Sequence, residues 1–344
     1  MKILSYAEAI SEATVEAMKI DSSIHLFGIG LDYSSGVFGT TTEANSLFGP
    51  SRVIDTPAME NALTGIAAGA SLCGIRPVVI HARNDFMFLA LDQMLNVLSK
   101  WHYMFDGRAS NMPVVIRSII GRGWGQGATH SQSIQSVLAH FPGLRVVMPA
   151  SARDAKGMLL SALNSPDPVV ILEHRNLYEV KGEVGQATPL EGASIAKKGK
   201  DLTIVASSVC VQESLIAADQ ASELGINIEV IDIRSIQPLD IETILNSVRK
   251  TKRLMVVDTS WTNFGLGSEI GASVLESGIA LLSPLVRLGQ ADSPAPVSKP
   301  LEDIHYPNAT KIFSVAKQSI SYKSSEIETV DNLPKIADDF LGPY

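Results

Sequence analysis

Glu60 and His130 are the side chains whose type and setting best suit chemistry. In DTPAMENALTGIAAGA, Asp55 or Thr56 suits a helix cap and Pro57 the first helical position, so Glu60 falls in the first turn of an otherwise apolar, small-residue helix. A carboxylate there can accept a hydrogen bond or a proton; it also serves simply as a favourable charge at the positive end of the helix dipole. His130 closes a run of glycines at positions 121, 123, 125 and 127, a backbone able to pass close to a ligand, and the Ser-Gln-Ser after it can cap a helix. Imidazole titrates near neutrality and suits proton transfer, and a loop histidine bonded to nearby backbone has the same sequence signature. Phe86 and Phe88 sit where a strand turns into a helix and read as core. Gly65 and Gly69 permit close approach of another helix, as at a subunit interface.

Other chemistries find no support. There is no GxxxxGK[ST], and GRGWGQGATHSQS follows a strand without the spacing of a dinucleotide fingerprint. The seven histidines are scattered, none paired with Cys, His or Glu at metal-ligand spacing. Cys73 and Cys210 lie in apolar stretches and read as buried thiols of a reducing compartment. A net charge of -8 without a basic block offers no surface for nucleic acid. Neither a signal peptide nor a membrane-spanning run is visible, so a cytoplasmic protein is expected.

Strands and helices must alternate to position these residues. At 344 residues, 45% hydrophobic and 19% charged, the chain suits two well-buried domains. Ser5 and Glu8 form a capping box before a helix, and strands are expected at Ile24 to Phe27, Arg52 to Asp55 and Pro77 to His81, with helices from Pro57 and from about Asp85 to Met104. Unalternating β-branched runs at Val114 to Ile119, Leu144 to Met148 and Val169 to Leu172 fit parallel strands covered on both faces. The polar stretch from about Tyr178 to Lys200 reads as an irregular connection, and a second alternating set begins at Leu202. The expected class is α/β with two parallel-sheet domains, at 1–190 and 200–322, and a polar tail at 323–344.

RVIDTPAMENALTGIAAGA, DFMFLALDQMLN, PVVIR with GQGATHSQS, HFPGLRVVMPAS, NSPDPVVILEH, IEVIDIRSIQPLD, FGLGSEI and RLGQADSPAP follow one another in a single order. Together they resemble the beta subunit of the thiamine-diphosphate-dependent decarboxylating component of 2-oxo acid dehydrogenase complexes, a relative of the pyrimidine-binding and C-terminal domains of transketolase. The resemblance implies that Glu60 hydrogen-bonds the aminopyrimidine of thiamine diphosphate and favours its imino tautomer, that Phe86 lies beside that ring, and that His130 faces substrate and the acyl-accepting lipoyl group. It implies oxidative decarboxylation of a 2-oxo acid. No GDG motif for Mg²⁺ and the diphosphate exists here, so an alpha subunit is implied to hold both, in an α2β2 tetramer that can dock on a dihydrolipoyl acyltransferase core. It also suggests a K⁺ site of backbone oxygens near Ala162, Leu163, Ser165 and Asp167.

The chain departs from that pattern in three places. Ile29 and Gly30 stand where many relatives carry acidic residues, Arg83 and Asn84 stand at positions that are apolar or small in many of them, and DTSWTNFG replaces an acidic, Gly-rich segment. The substrate is therefore open beyond pyruvate and branched-chain 2-oxo acids. A split transketolase-like or acetoin-cleaving enzyme would use the same Glu60 with another acceptor, and a non-catalytic paralogue would keep the fold without the reaction.

Overall fold

The computed structural model describes residues 2–122 and 125–322. Ser5 opens the first helix as its sequence requires: its hydroxyl accepts from the Glu8 amide, and the Glu8 carboxylate accepts from the Ser5 amide at 2.7 Å. The first half runs β1 (Lys2–Ser5), α1 (Tyr6–Ile20), β2 (Ile24–Gly28), α2 (Thr42–Phe48), β3 (Val53–Asp55), α3 (Glu60–Leu72), β4 (Arg76–His81), α4 (Asn84–Met87), α5 (Trp101–Met104), β5 (Val115–Ile120), α6 (Gln135–Ala139), β6 (Arg145–Val147), α7 (Ala152–Asn164), β7 (Val169–His174) and β8 (Lys181–Val184). The second half runs β9 (Ser194–Lys197), β10 (Leu202–Ala206), α8 (Val209–Ser222), β11 (Ile228–Asp232), β12 (Ser235–Gln237), α9 (Ile241–Thr251), β13 (Leu254–Trp261), α10 (Leu266–Glu276), β14 (Val286–Gln290), α11 (Lys299–His305) and α12 (Ala309–Ser321).

Two mostly parallel sheets result. The first has the order β12-β6-β7-β5-β4-β2-β3 and only β12 is antiparallel; the second has the order β14-β13-β10-β11-β9 and only β9 is antiparallel. Successive residues of the central strands enter opposite cores: Val79 and Ile116 join one cluster, Val78, Ile80 and Val115 the other. The first of these clusters continues through Val205, Ile231 and Val256 of the second sheet, which locks the two sheets together. Within the first sheet Arg117 of β5 and Glu173 of β7 form a buried ion pair at 2.5 Å. Tyr178 Oη donates to that carboxylate at 2.8 Å and Arg117 Nη2 to Thr40 Oγ1 at 3.1 Å, tying the loop after β2 to the sheet.

Several expectations change. The helix expected from Pro57 starts at Glu60 with no side-chain cap, because Asp55 Oδ1 instead accepts from the Leu31 amide at 2.9 Å. The long helix expected from Asp85 to Met104 is broken into α4, a 3₁₀ turn at Phe88–Ala90, a π-helical segment at Gln93–Leu98 and α5. The stretch read as irregular contains β8, paired with β1, and β9, paired with β11. Cys210 is buried but Cys73 is exposed at the end of α3, where an apolar sequence meets solvent. The polar tail at 323–344 and Gly123 lie outside the described residues.

Candidate functional site

In the first sheet the chain passes from β2 to β3 on one side and returns to β4 on the other, so the connections diverge between β2 and β4. Crevices outside the carboxyl ends of strands at such a point are where open α/β sheets bind ligands. Here the backbones approach closely: a Cβ on Gly28 would sit 2.6 Å from the Ile80 carbonyl. Glu60 follows β3, Phe86 follows β4 and His130 follows β5, so all three residues singled out from sequence lie beyond the carboxyl ends of neighbouring parallel strands.

Glu60 is half-buried in the first turn of α3 and has no hydrogen-bond or ion-pair partner among the described residues. Phe86, read from sequence as core, is 43% exposed, and Phe88 is exposed too. Phe86 lies in α4 and Phe88 at the break that follows it, and both rings face outward. Phe86 meets His130 edge to face, with ring centroids 5.2 Å apart. His130 Nδ1 lies 2.9 Å from Thr129 Oγ1, which leaves Nε2 as the ring atom able to exchange a proton. No contact joins Glu60 to this pair among the described residues.

The histidine loop is held from two sides. Asp85 Oδ1 accepts from the Gln132 amide at 3.1 Å, and Asn84 Nδ2 donates to Asp85 Oδ2 at 3.1 Å and to the Gln132 carbonyl at 2.9 Å. Burial raises the Asp85 carboxyl above its usual range, offset by those amide bonds. On the side of the second half, Gln135 Nε2 donates to Asp258 Oδ1 of β13 at 2.5 Å, the Ser133 and Thr259 hydroxyls share a hydrogen bond of 2.9 Å, and Tyr306 Oη, just after α11, donates to the Ser131 carbonyl at 3.1 Å. The Ser-Gln-Ser segment is thus spent on these links and does not cap α6, whose cap is Ile134. At Gly121, with φ +96°, a Cβ would lie 2.5 Å from His174 Nε2, so glycine is required where the loop begins. At Gly65 a Cβ would stand 3.2 Å from Gln93 Oε1, whereas Gly69 faces open space.

Sequence reasoning did not find Asp85, Asp258 or Tyr306. An acid directly before Phe86 was the one visible signal; the other two are brought in by tertiary contacts alone. Gly30 adopts φ +72°, and Arg83 is buried, 7% exposed, between β4 and the histidine loop.

The carbonyls named for a cation site near α7 each accept a hydrogen bond within the chain. The Ala162 carbonyl accepts from the Ser165 amide at 3.0 Å, those of Leu163 and Ser165 from Arg76 Nη1 at 3.0 and 3.2 Å, and that of Asp167 from Ser165 Oγ at 3.2 Å. Each oxygen already has a donor of the chain, one of them cationic. Among the described residues no group of three His, Cys, Asp or Glu side chains could hold a metal ion, and no helix is long and apolar enough to cross a membrane.

Residues 2–181 match the pyrimidine-binding domain of transketolase and residues 191–312 the transketolase C-terminal domain. The chain is 40% identical over 326 residues to the mitochondrial pyruvate dehydrogenase E1 component subunit beta-2 of Oryza sativa subsp. japonica, covering 92% of this chain and 86% of that one. It is 37% identical over 331 residues to the acetoin:2,6-dichlorophenolindophenol oxidoreductase subunit beta of Cupriavidus necator, covering 92% and 97%. Among solved structures, a split-gene transketolase described as an inactive beta4 tetramer superposes with a TM-score of 0.76 over 93% of this chain and 99% of that one, at 24% identity. The fold, the carboxyl-edge site and these likenesses together establish that the chain belongs to the transketolase-like family that includes the beta subunits of the pyruvate dehydrogenase E1 component and of acetoin oxidoreductases.

Proposed function

We propose that the chain is the beta subunit of a thiamine-diphosphate-dependent 2-oxo acid dehydrogenase and that, with an alpha subunit, it carries out oxidative decarboxylation of a 2-oxo acid with acyl transfer to lipoamide. The observation that carries this reading is the Glu60 carboxylate, unpaired among the described residues and offered in a first helical turn at the same sheet edge as the Phe86 and His130 rings. That set suits the cofactor: a partnerless carboxylate can accept the aminopyrimidine hydrogen bond, and an exposed phenyl face can lie against the ring. The bound cofactor supplies the electron sink for decarboxylation. Glu60 holds the hydrogen bond that fixes the pyrimidine's proton arrangement, and Phe86 shields that edge from water. His130, braced through its loop by Asp85, presents Nε2 to donate or accept a proton at the substrate oxygen.

In this reading the alpha subunit binds Mg²⁺ and the diphosphate, since this chain has no GDG motif. An α2β2 assembly, docking on an acyltransferase core and placement in the cytoplasm complete it. The acetoin oxidoreductase likeness supports a second reading, cleavage of acetoin at the same Glu60. Calorimetry with thiamine diphosphate and Mg²⁺, on this chain alone and on the pair co-expressed with its alpha subunit, tests the proposal. Binding to the pair only is the expected result. Strong binding to the lone chain would contradict a shared site, and no binding to either would remove the catalytic reading. Turnover of acetoin but of no 2-oxo acid by the pair would favour the second.

A further inference from the structure

We propose that Asp258 is a positioning residue for His130, acting through Gln135, and that it acts as a carboxylic acid whose proton closes a second hydrogen bond between the two side chains. The consequence for turnover rests on the reaction proposed above; the bond itself does not.

Gln135 opens α6 shortly after His130, and Asp258 lies on β13 of the second sheet; both side chains are buried. Gln135 Nε2 already donates to Asp258 Oδ1 at 2.5 Å and to Thr259 Oγ1 at 3.3 Å, and Asp258 Oδ1 also accepts from the Thr259 amide at 2.7 Å. One oxygen is left over on each partner. Gln135 Oε1 and Asp258 Oδ2 are both buried, and neither has a hydrogen-bond partner among the described residues. A carboxamide and a carboxyl joined by one N–H···O bond can close a planar ring with a second bond, but their two other oxygens both accept, and only a proton on the carboxyl makes one of them a donor. Without that proton both oxygens stay desolvated and unsatisfied.

The setting places this proton within ordinary titration. Burial pushes the Asp258 carboxyl up to about 6, against Gln135 and the nearby amides of Thr259, Ser260 and Leu266, which lower it. Of the elements around it, α8 carries Cys210 and Glu213, α10 carries Glu269 and β14 carries Arg287. Arg122 and His140 come from the first half and His305 from the end of α11. Burial, then Asp258, raise the Cys210 thiol, and burial, then Arg122, lower His305, so both stay neutral. In the folded chain the second bond is made below about pH 6 and released above it. A carboxyl raised on folding contributes stability that is full below about pH 4 and lost as pH rises through the folded value. With two bonds the Gln135 amide is fixed in orientation, and the histidine loop with it; with one it can swing about Nε2.

Hydrogen exchange of the full chain, alone and with its alpha subunit, reads the loop through a peptide spanning 127–138 at pH 5.5 and 7.5, corrected for intrinsic exchange. Wild-type protection should fall about tenfold between the two, the worth of one hydrogen bond. In Asp258→Asn, whose carboxamide offers a donor and an acceptor at every pH, it should fall by less than about twofold. Turnover of the αβ enzyme with thiamine diphosphate, Mg²⁺ and an artificial electron acceptor is the second readout. The ratio of kcat in Asp258→Asn to kcat in the wild type should rise about threefold or more from pH 5.5 to 7.5 with KM within about twofold, and Asp258→Val should be slow at both. Flat wild-type protection overturns the proposal without any variant being needed. So does Asp258→Val matching Asp258→Asn in protection and kcat, since a side chain without a donor would then serve as well. Protection that depends on pH and on Asp258, without turnover of any 2-oxo acid, would keep the bond and remove the reaction. Turnover with parallel pH profiles in the wild type and Asp258→Asn would keep the reaction and remove the positioning role.

Discussion

Glu60 owes its place to what its neighbours do elsewhere. Asp55 serves the Leu31 amide and no side chain caps α3, so the first turn begins with a carboxylate that has no hydrogen-bond or ion-pair partner among the described residues. Such a group can accept a hydrogen bond from a ligand at no cost to the fold. Glu60→Gln keeps the shape and removes the charge, and should lower turnover by at least about 100-fold while thermal unfolding and association with the alpha subunit are unchanged. Steady-state kinetics beside size-exclusion of the pair would check this; a variant with normal turnover would remove Glu60 from the chemistry. Glu60 and His130 were legible as candidates because charge, glycine spacing and first-turn position are written in the sequence. Phe86 was legible only through its family likeness: hydrophobicity alone suggested core, and which face of a broken helix meets solvent is decided by packing.

At the level of elements, the histidine loop is irregular backbone whose order depends on side chains reaching in from α4 and from the second sheet. Asp85 supplies the local brace, taking the Gln132 amide and the Asn84 side chain. Asp85→Ala leaves the Gln132 amide without its acceptor, at roughly 1–3 kcal/mol, removes one of the two bonds of Asn84 Nδ2, and loosens His130 without touching Glu60. We expect kcat to fall by about tenfold or more while the dissociation constant for thiamine diphosphate stays within about twofold, since the chain's hydrogen bond to the pyrimidine is intact. Parallel loss of cofactor binding would show Asp85 to be a general support of the domain. The break after α4 belongs to this level too. Helical periodicity continues through residues 85–104, so the sequence reads as one helix, but the segment departs into a 3₁₀ turn and a π-helical stretch that periodicity cannot reveal.

In the whole molecule, the two sheets meet across a seam that carries charge. Asp232, at the end of β11, is buried near Asp154 of α7, and burial first, then that neighbouring carboxylate, push its carboxyl up to about 8. The folded chain therefore keeps a proton that the unfolded chain releases near pH 4. The stability this confers is complete below about pH 4 and is lost as pH rises toward 8, at about 1.4 kcal/mol per unit. Asp232→Asn keeps an acceptor for the Arg234 amide, now at 3.1 Å from Asp232 Oδ1, and should flatten that slope. Urea midpoints of both proteins at pH 6, 7 and 8 would show it; identical slopes would mean that the carboxylate is accommodated without cost. The sequence by itself determined the α/β class, the alternation of strands and helices, the capping box at Ser5 and the two polar candidates, because propensity, periodicity and charge are local properties. Tertiary structure alone decided that β12 leaves the second half to pair with β6, that Asp258 and Tyr306 clamp the histidine loop, and that Arg83 lies against that loop. Those contacts join residues 38 to 175 positions apart, where no local pattern records the partner.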